Sequence, residues 1–251
     1  MKHKAFTLVE VLVVIGIIAL LISILLPAVN RAFEHVNRVA CASNFRQVGA
    51  GITMYLNDNK GSLPVPPGVT ADPNDAFWWQ PARIADIGRY TMGPYLRLTP
   101  TSLKMLRCPT DEQAATREAA GKYPFTYVFN DNMNGNGLNS VQKIGQIKNP
   151  SEKVFLYEEN GPTINDGRGQ LWNVHGAWGN ISMLGLRHDR GNRKQYPDAS
   201  SAATGITNPN GQANVLFADG HVDYVTRTYA HSKSHALPDP DAFFNEPEIG
   251  P

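Results

Sequence analysis

Two cysteines, seven histidines and a single acid set inside an apolar run are the residues of this 251-residue chain whose types and spacing could do chemistry. Cys41 and Cys108 could be the halves of a disulfide or two small buried thiols. His175, His188, His221, His231 and His235 are the histidines that a metal site would draw on. Only His231 and His235 have the H-x-x-x-H spacing, and they fall in an expected loop with no supporting acid, so the histidines read as surface or hairpin residues and no metal site is predicted. Asn130-Asp131-Asn132-Met133-Asn134-Gly135 imitates the start of an EF-hand loop, but its twelfth position is Val141 rather than a bidentate Glu, and it reads as a turn-rich loop. There is no G-x-S-x-G, no Gly-rich phosphate loop after a strand and no carboxylate pair singled out by spacing; an enzyme is not expected.

The acid is Glu10. From Phe6 to Leu26 only Thr7, Glu10, Gly16 and Ser23 interrupt an apolar run, and twenty-one residues at about 1.5 Å each give roughly 31 Å of helix, the thickness of a bilayer core. Lys2 and Lys4 precede the run, which leaves the N-terminus cytoplasmic and sends the rest of the chain outward. A cleaved signal peptide would have a shorter apolar region ending in an A-x-A-like site; here the run passes through Pro27 into Ala28-Val29-Asn30-Arg31 without one. A plain signal anchor fits the length but leaves Glu10 unexplained, because a carboxylate inside an apolar span costs about 2.5–3.5 kcal/mol at the helix centre and marks a function by default.

Lys4-Ala5-Phe6-Thr7-Leu8-Val9-Glu10, the apolar run and Pro27 resemble the N-terminus of type IV pilins and type II secretion pseudopilins. The resemblance implies a prepilin peptidase that cuts between Ala5 and Phe6 and methylates the new amine, although the family usually has Gly where Ala5 stands. It also implies an assembly role for Phe6 and Glu10, the acid pairing with a neighbouring subunit's N-terminal amine. Further motifs resemble the large pilin-like families of Planctomycetes and related bacteria: Cys41-Ala42-Ser43-Asn44-Phe45-Arg46-Gln47, Cys108-Pro109, Arg187-His188-Asp189-Arg190-Gly191, and Asn214-Val215-Leu216-Phe217-Ala218-Asp219-Gly220-His221-Val222. In those families the last two run almost directly together; here about twenty residues separate them. His188, Asp219, Gly220 and His221 are the signature positions of that region and read as hairpin support rather than ligands. Some pseudopilins hold calcium in an outer loop, so no cofactor is expected beyond a calcium ion that the resemblance allows without locating.

The elements that must position these residues follow from periodicity. Beyond Pro27, Val29, Phe33, Val36, Ala40, Val48, Ile52 and Tyr55 form a stripe mostly three or four apart, the mark of an amphipathic helix. One helix of about 50 residues, kinked or loosened at Pro27, is expected to end at Asn57-Asp58-Asn59-Lys60-Gly61. Strands are expected over 123–130, 153–158, 181–186, 213–218 and 222–226, the last two joined by Asp219-Gly220, with short helices around 79–89 and 111–120 and an extended tail over 232–251. The fold class is α+β, pilin-like, with the long N-terminal helix packed on an antiparallel sheet. The divisions are a leader over 1–5, a transmembrane and assembly helix over 6–28, its amphipathic continuation over 29–60 and a periplasmic domain over 61–251.

Two cysteines in an exported domain favour a Cys41–Cys108 disulfide across a 67-residue separation, the alternative being two buried thiols. The 23 Lys+Arg nearly balance 22 Asp+Glu, without a basic block, so no nucleic-acid partner is expected. Expected partners are prepilin peptidase, the inner membrane and other subunits of a pilus-like or secretion-like filament. The competing reading is a membrane-anchored periplasmic module that binds carbohydrate through Trp78-Trp79.

Overall fold

The computed structural model describes residues 8–64, 88, 91–99, 102–121, 123–134, 141–161, 164, 167–171, 184–189 and 208–242. Helix α1 runs unbroken over Leu8–Asp58, with Pro27 inside it. Among the described residues of its first half, Leu8 to Leu26 are exposed wherever they are large and apolar. The helix stops where residues tolerant of a left-handed backbone begin. Lys60 and Gly61 take φ of 55° and 75°, while the Asn59 and Gly61 amides close onto the Tyr55 and Leu56 carbonyls.

Four strands form an antiparallel sheet, β1 (Tyr127–Asn130), β2 (Val154–Glu158), β4 (Gln212–Phe217) and β5 (Val222–Thr226), in the order β1-β2-β4-β5. The two-residue strand β3 (Arg168–Gly169) adds to β1 in parallel, which no alternation in the sequence signalled. Asp219-Gly220 turns β4 into β5 as expected: Gly220 has φ 93°, and its amide and that of Phe217 close the loop onto Phe217 and His221 carbonyls. Strands β1 and β2 are buried at every position, so both faces of the sheet centre are covered.

The second half of α1 lies on this sheet. Cys41, Phe45, Val48, Gly49, Gly51 and Ile52 are its buried positions. A Cβ on Gly49 would stand 2.8 Å from Leu216 Cδ1 in β4, and one on Gly51 2.3 Å from Leu96 Cδ2 in the short helix α2 (Gly93–Leu96). At these two glycines helix and domain approach too closely for a side chain without displacement. The expected stripe begins too early, however. Phe33 and Val36 are 64% and 61% exposed, because the domain first reaches the helix near Arg38, whose guanidinium lies 4.7 Å over the Tyr224 ring and whose carbonyl accepts from Asn214 Nδ2.

Other expectations change. The helix expected around 111–120 is α3 (Ala114–Ala119), and the strand expected from 123 starts at Tyr127. Of the strand expected over 181–186, Leu184 makes a single antiparallel bridge to Glu159; 181–183 lie outside the described residues. Asp131–Asn134 form a helical turn, α4, and Asn130 is spent on structure, donating from Nδ2 to the Val154 and Ala236 carbonyls at 2.8 Å each. The tail is packed rather than extended over 232–242. Following α5 (Arg227–Ala230), helix α6 (Lys233–Ala236) buries Ala236 and Leu237, and Lys153 Nζ donates to the Ser234 carbonyl. The buried apolar pair and these backbone acceptors hold the segment against the sheet.

Candidate functional site

Two features stand out from the fold, and both lie on α1. The first is the membrane-length apolar half. It is long and apolar enough to cross a bilayer, and its candidate window has no residue buried within the chain. Glu10 sits in the first turn of this helix, where a carboxylate also complements the positive end of the helix dipole. Ala5 and Phe6 lie outside the described residues, as do His175, Trp78, Trp79 and, apart from Gly88, the helix expected over 79–89.

The second feature is a buried polar cluster where α1 meets the domain. It draws Cys41 from the helix, Cys108 from the loop after the 3-10 turn Ser102–Leu106, Glu158 from the end of β2, and His188 from the loop beyond Leu186. All four are buried, and one ligand-type atom from each lies within 4.8 Å of the other three. Cys41 Sγ donates to Glu158 Oε1 at 2.8 Å and lies 3.1 Å from the Tyr127 hydroxyl. Cys108 Sγ lies 3.2 Å from His188 Nε2, which is 3.5 Å from Glu158 Oε1. Arg187 Nη1 stands 4.0 Å from Glu158 Oε2 and donates to the Glu159 carbonyl at 2.6 Å.

Supporting groups fix these positions. Asn44, one turn beyond Cys41, donates from Nδ2 both to the Tyr127 hydroxyl and to the Arg107 carbonyl, at 3.3 Å each. The Cys108 amide donates to Thr126 Oγ1, whose hydroxyl donates in turn to Asp111 Oδ2. Asp111 is paired with Arg117 at 2.5 Å, both side chains almost wholly buried. The Cys-x-x-Asn and Cys-Pro motifs noted in the sequence thus meet at one place.

The electrostatics follow from burial and proximity. Burial, aided by the Cys108 and Glu158 neighbours, pushes the Cys41 thiol well up. Burial would do the same to Cys108, but hydrogen bonds with Cys41 and His188 outweigh it and bring the thiol down to about 7. His188 is raised to about 10: burial opposes its charge, and Glu158 overrides burial. Glu158 is lowered although burial opposes ionisation, because His188 and Arg187 face it. Glu158 Oε2 and His188 Nδ1 nevertheless have no hydrogen-bond partner among the described residues.

Several sequence expectations are corrected here. Cys41 and Cys108 are both free thiols, not a disulfide; each sulfur is committed to polar partners, Cys41 to Glu158 and Tyr127, Cys108 to His188 and Thr110. His188 and His231 are buried rather than surface residues. His231 Nδ1 donates to the Leu171 carbonyl at 2.9 Å while Nε2 accepts from the Leu184 amide at 3.2 Å, and His235 stacks on Tyr229 with ring centroids 3.6 Å apart. His221 does belong to the hairpin, its Nδ1 2.6 Å from Asp219 Oδ1 and its ring stacked on Phe217. The two signature halves separated in sequence rejoin in space: Asp189 Oδ2 accepts from the Gln212 amide at 3.0 Å where β4 begins, and Leu186 packs against Gly211. Glu158 was not singled out from the sequence; the one available signal was an acid pair, Glu158-Glu159, directly following the apolar Val154–Tyr157.

A long apolar N-terminal helix whose far half packs on a four-stranded antiparallel sheet is an α+β, pilin-like architecture, and the comparisons with known proteins bear on its N-terminal segment. Residues 1–26 match the family described as the prokaryotic N-terminal methylation motif. Over 64 residues, 26% of this chain, it is 36% identical to the ComG operon protein 3 homolog of Bacillus licheniformis and covers 66% of that protein. Over 64 residues it is 34% identical to the competence protein ComGC of Bacillus subtilis, covering 65% of it. The chain therefore spans just under two thirds of the length of these relatives. No solved structure matches it. Its N-terminus thus carries a prepilin-type methylation motif and is similar to those of type IV pilin-like proteins, and it continues into a helix long and apolar enough to cross a membrane.

Proposed function

We propose that this protein is a structural, non-enzymatic subunit of a type IV pilus-like, competence-type or type II secretion-like filament, cut by prepilin peptidase between Ala5 and Phe6 and assembled through its N-terminal helix. The observation that carries the reading is the exposed helix: its large apolar residues from Leu8 to Leu26, and Phe33, Val36 and Val39 beyond them, are about half to four-fifths exposed among the described residues. A bilayer of about 30 Å covers the first stretch. It does not reach Phe33, Val36 and Val39, which lie a further turn or more along the helix, between membrane and domain. Packing against the helices of other subunits covers both. Glu10 then pairs with a neighbour's N-terminal amine, since a carboxylate in that packed core requires a partner. Lys2 and Lys4 support a cytoplasmic N-terminus and a periplasmic domain. The relatives' names add competence to the roles such a filament could serve.

The test is to shear filaments from native cells, image them by electron microscopy and sequence the N-terminus of each recovered chain by mass spectrometry. Recovery of this chain beginning at methylated Phe6 supports the proposal; its absence from every sheared filament, with the uncut chain left in the membrane, refutes it.

A further inference from the structure

We propose that Cys41, Cys108, Glu158 and His188 form a structural zinc site that clips the assembly helix to the outer domain. The donor set is the first argument. Thiolate, imidazole and carboxylate are all donors that zinc takes, whereas calcium and magnesium call for oxygen throughout.

Spacing is the second. Zinc bonds of about 2.3 Å to sulfur and 2.0–2.2 Å to nitrogen and oxygen, set tetrahedrally, separate the ligand atoms by roughly 3.4–3.8 Å. The separations here are 3.5 Å for His188 Nε2 to Glu158 Oε1, 3.2 Å for Cys108 Sγ to His188 Nε2 and 2.8 Å for Cys41 Sγ to Glu158 Oε1, with every pair inside 4.8 Å. An expansion of a few tenths of an ångström, and somewhat more along the Cys41–Glu158 edge, admits the ion.

The surroundings are the third. Two thiolates and one carboxylate against a divalent ion leave one negative charge, and the Arg187 guanidinium stands 4.0 Å from the outer Glu158 oxygen to balance it. The Tyr127 hydroxyl, 3.1 Å from Cys41 Sγ and itself held by Asn44, is placed to donate to a thiolate. Such outer hydrogen bonds orient metal ligands and raise their affinity. Zinc takes the two sulfurs as thiolates and the imidazole in its neutral form, so its affinity falls as pH falls. A cleft of about 500 Å³ lined by Pro109 and Arg187, the sequence neighbours of Cys108 and His188, offers a way in. Four protein ligands leave no open position, so the ion's role is to hold structure: it joins α1 to three segments that lie 67 to 147 residues further along the chain.

The experiment uses the full-length chain, solubilised from membranes in detergent and kept reduced, with zinc content measured by elemental analysis and the apo form titrated with Co²⁺. The expected result is one zinc per chain and, for cobalt, intense tetrahedral d–d bands with a thiolate-to-metal charge-transfer band. Tyr127→Phe, which removes no ligand, is expected to weaken zinc in competition with a chelator by about 10-fold. A weak octahedral cobalt spectrum without the thiolate band, or less than a tenth of an equivalent of zinc after loading, overturns the proposal. So does recovery of the native protein with Cys41 and Cys108 joined as a disulfide.

Discussion

Asp189 Oδ2 accepts a hydrogen bond from the Gln212 amide at 3.0 Å, so the loop that carries Arg187 and His188 is fastened to the first residue of β4, 23 positions further along the chain. The contact sets where His188 enters the cluster, and Leu186 against Gly211 seals the same junction. Polar contacts of this kind tie loops onto the apolar core of the domain, and each is open to test.

Helix α1 approaches α2 closely at Gly51. Any side chain there must displace Leu96, whose Cδ2 and Cγ stand 2.3 and 3.0 Å from the position of a Cβ. Gly51→Val is expected to destabilise the detergent-solubilised protein by about 1–3 kcal/mol, read as a lowered melting temperature. An unchanged melting temperature would mean that α1 does not press on α2.

Asp111 bridges Arg117 and Thr126 in a nearly dry setting. Burial opposes its ionisation, but the Arg117 hydrogen bonds and Arg187 outweigh burial and hold its carboxyl below the usual carboxylate range. A depressed carboxylate contributes stability above its unfolded-state value near 4, and that stability is lost as pH falls through the lower folded value. Asp111→Asn leaves Arg117 buried without its counter-charge and is expected to cost about 3–5 kcal/mol at neutral pH, measured by thermal or denaturant unfolding. The variant's loss of stability between pH 4 and 2 should be shallower than the wild type's.

His231 bridges two chain segments only as a neutral ring. Its value is brought down to about 4, first by burial and then by Arg227, against the opposing bond to Leu171. The unfolded chain takes up a proton near pH 6.5 while the folded chain does not, so stability falls as pH drops from about 6.5 to 4 and is constant above. A shift of this size corresponds to a few kcal/mol. His231→Gln is expected to be less stable at pH 7.5 and to lack that slope, as pH-dependent unfolding would show.

Phe33, 64% exposed in the single chain, lies beyond the membrane span and before the domain contact. Burial of such a side chain against a neighbour is worth about 1.5–3 kcal/mol. Phe33→Ser is expected to leave the melting temperature of the isolated chain unchanged and to lower its recovery in sheared filaments about 10-fold. Equal recovery would place Phe33 outside the subunit contacts.

What could be read from the sequence was local. The 21-residue apolar run, its single acid and the Asp219-Gly220 turn between β-rich segments each carry their signal within a few residues. The antiparallel sheet and the helix laid upon it followed from those periods. The polar cluster could not be read this way: Cys41 and Glu158 are 117 residues apart and Cys108 and His188 are 80 apart, and sequence distance says nothing about which loops fold back together. The stripe was extended to Phe33 and Val36 because an apolar helix face looks the same whether its own domain or another surface covers it. The tail was read as extended from its prolines, yet Asn130 and Lys153, remote in sequence, supply the donors that order it.

The central claim is that α1 assembles subunits through Glu10. It is tested most directly by expressing Glu10→Ala in cells that make the filament and comparing the chain in membrane and sheared-filament fractions. The claim predicts that the variant reaches the membrane at the wild-type level and is missing from filaments. Incorporation of the variant at the wild-type level would contradict it.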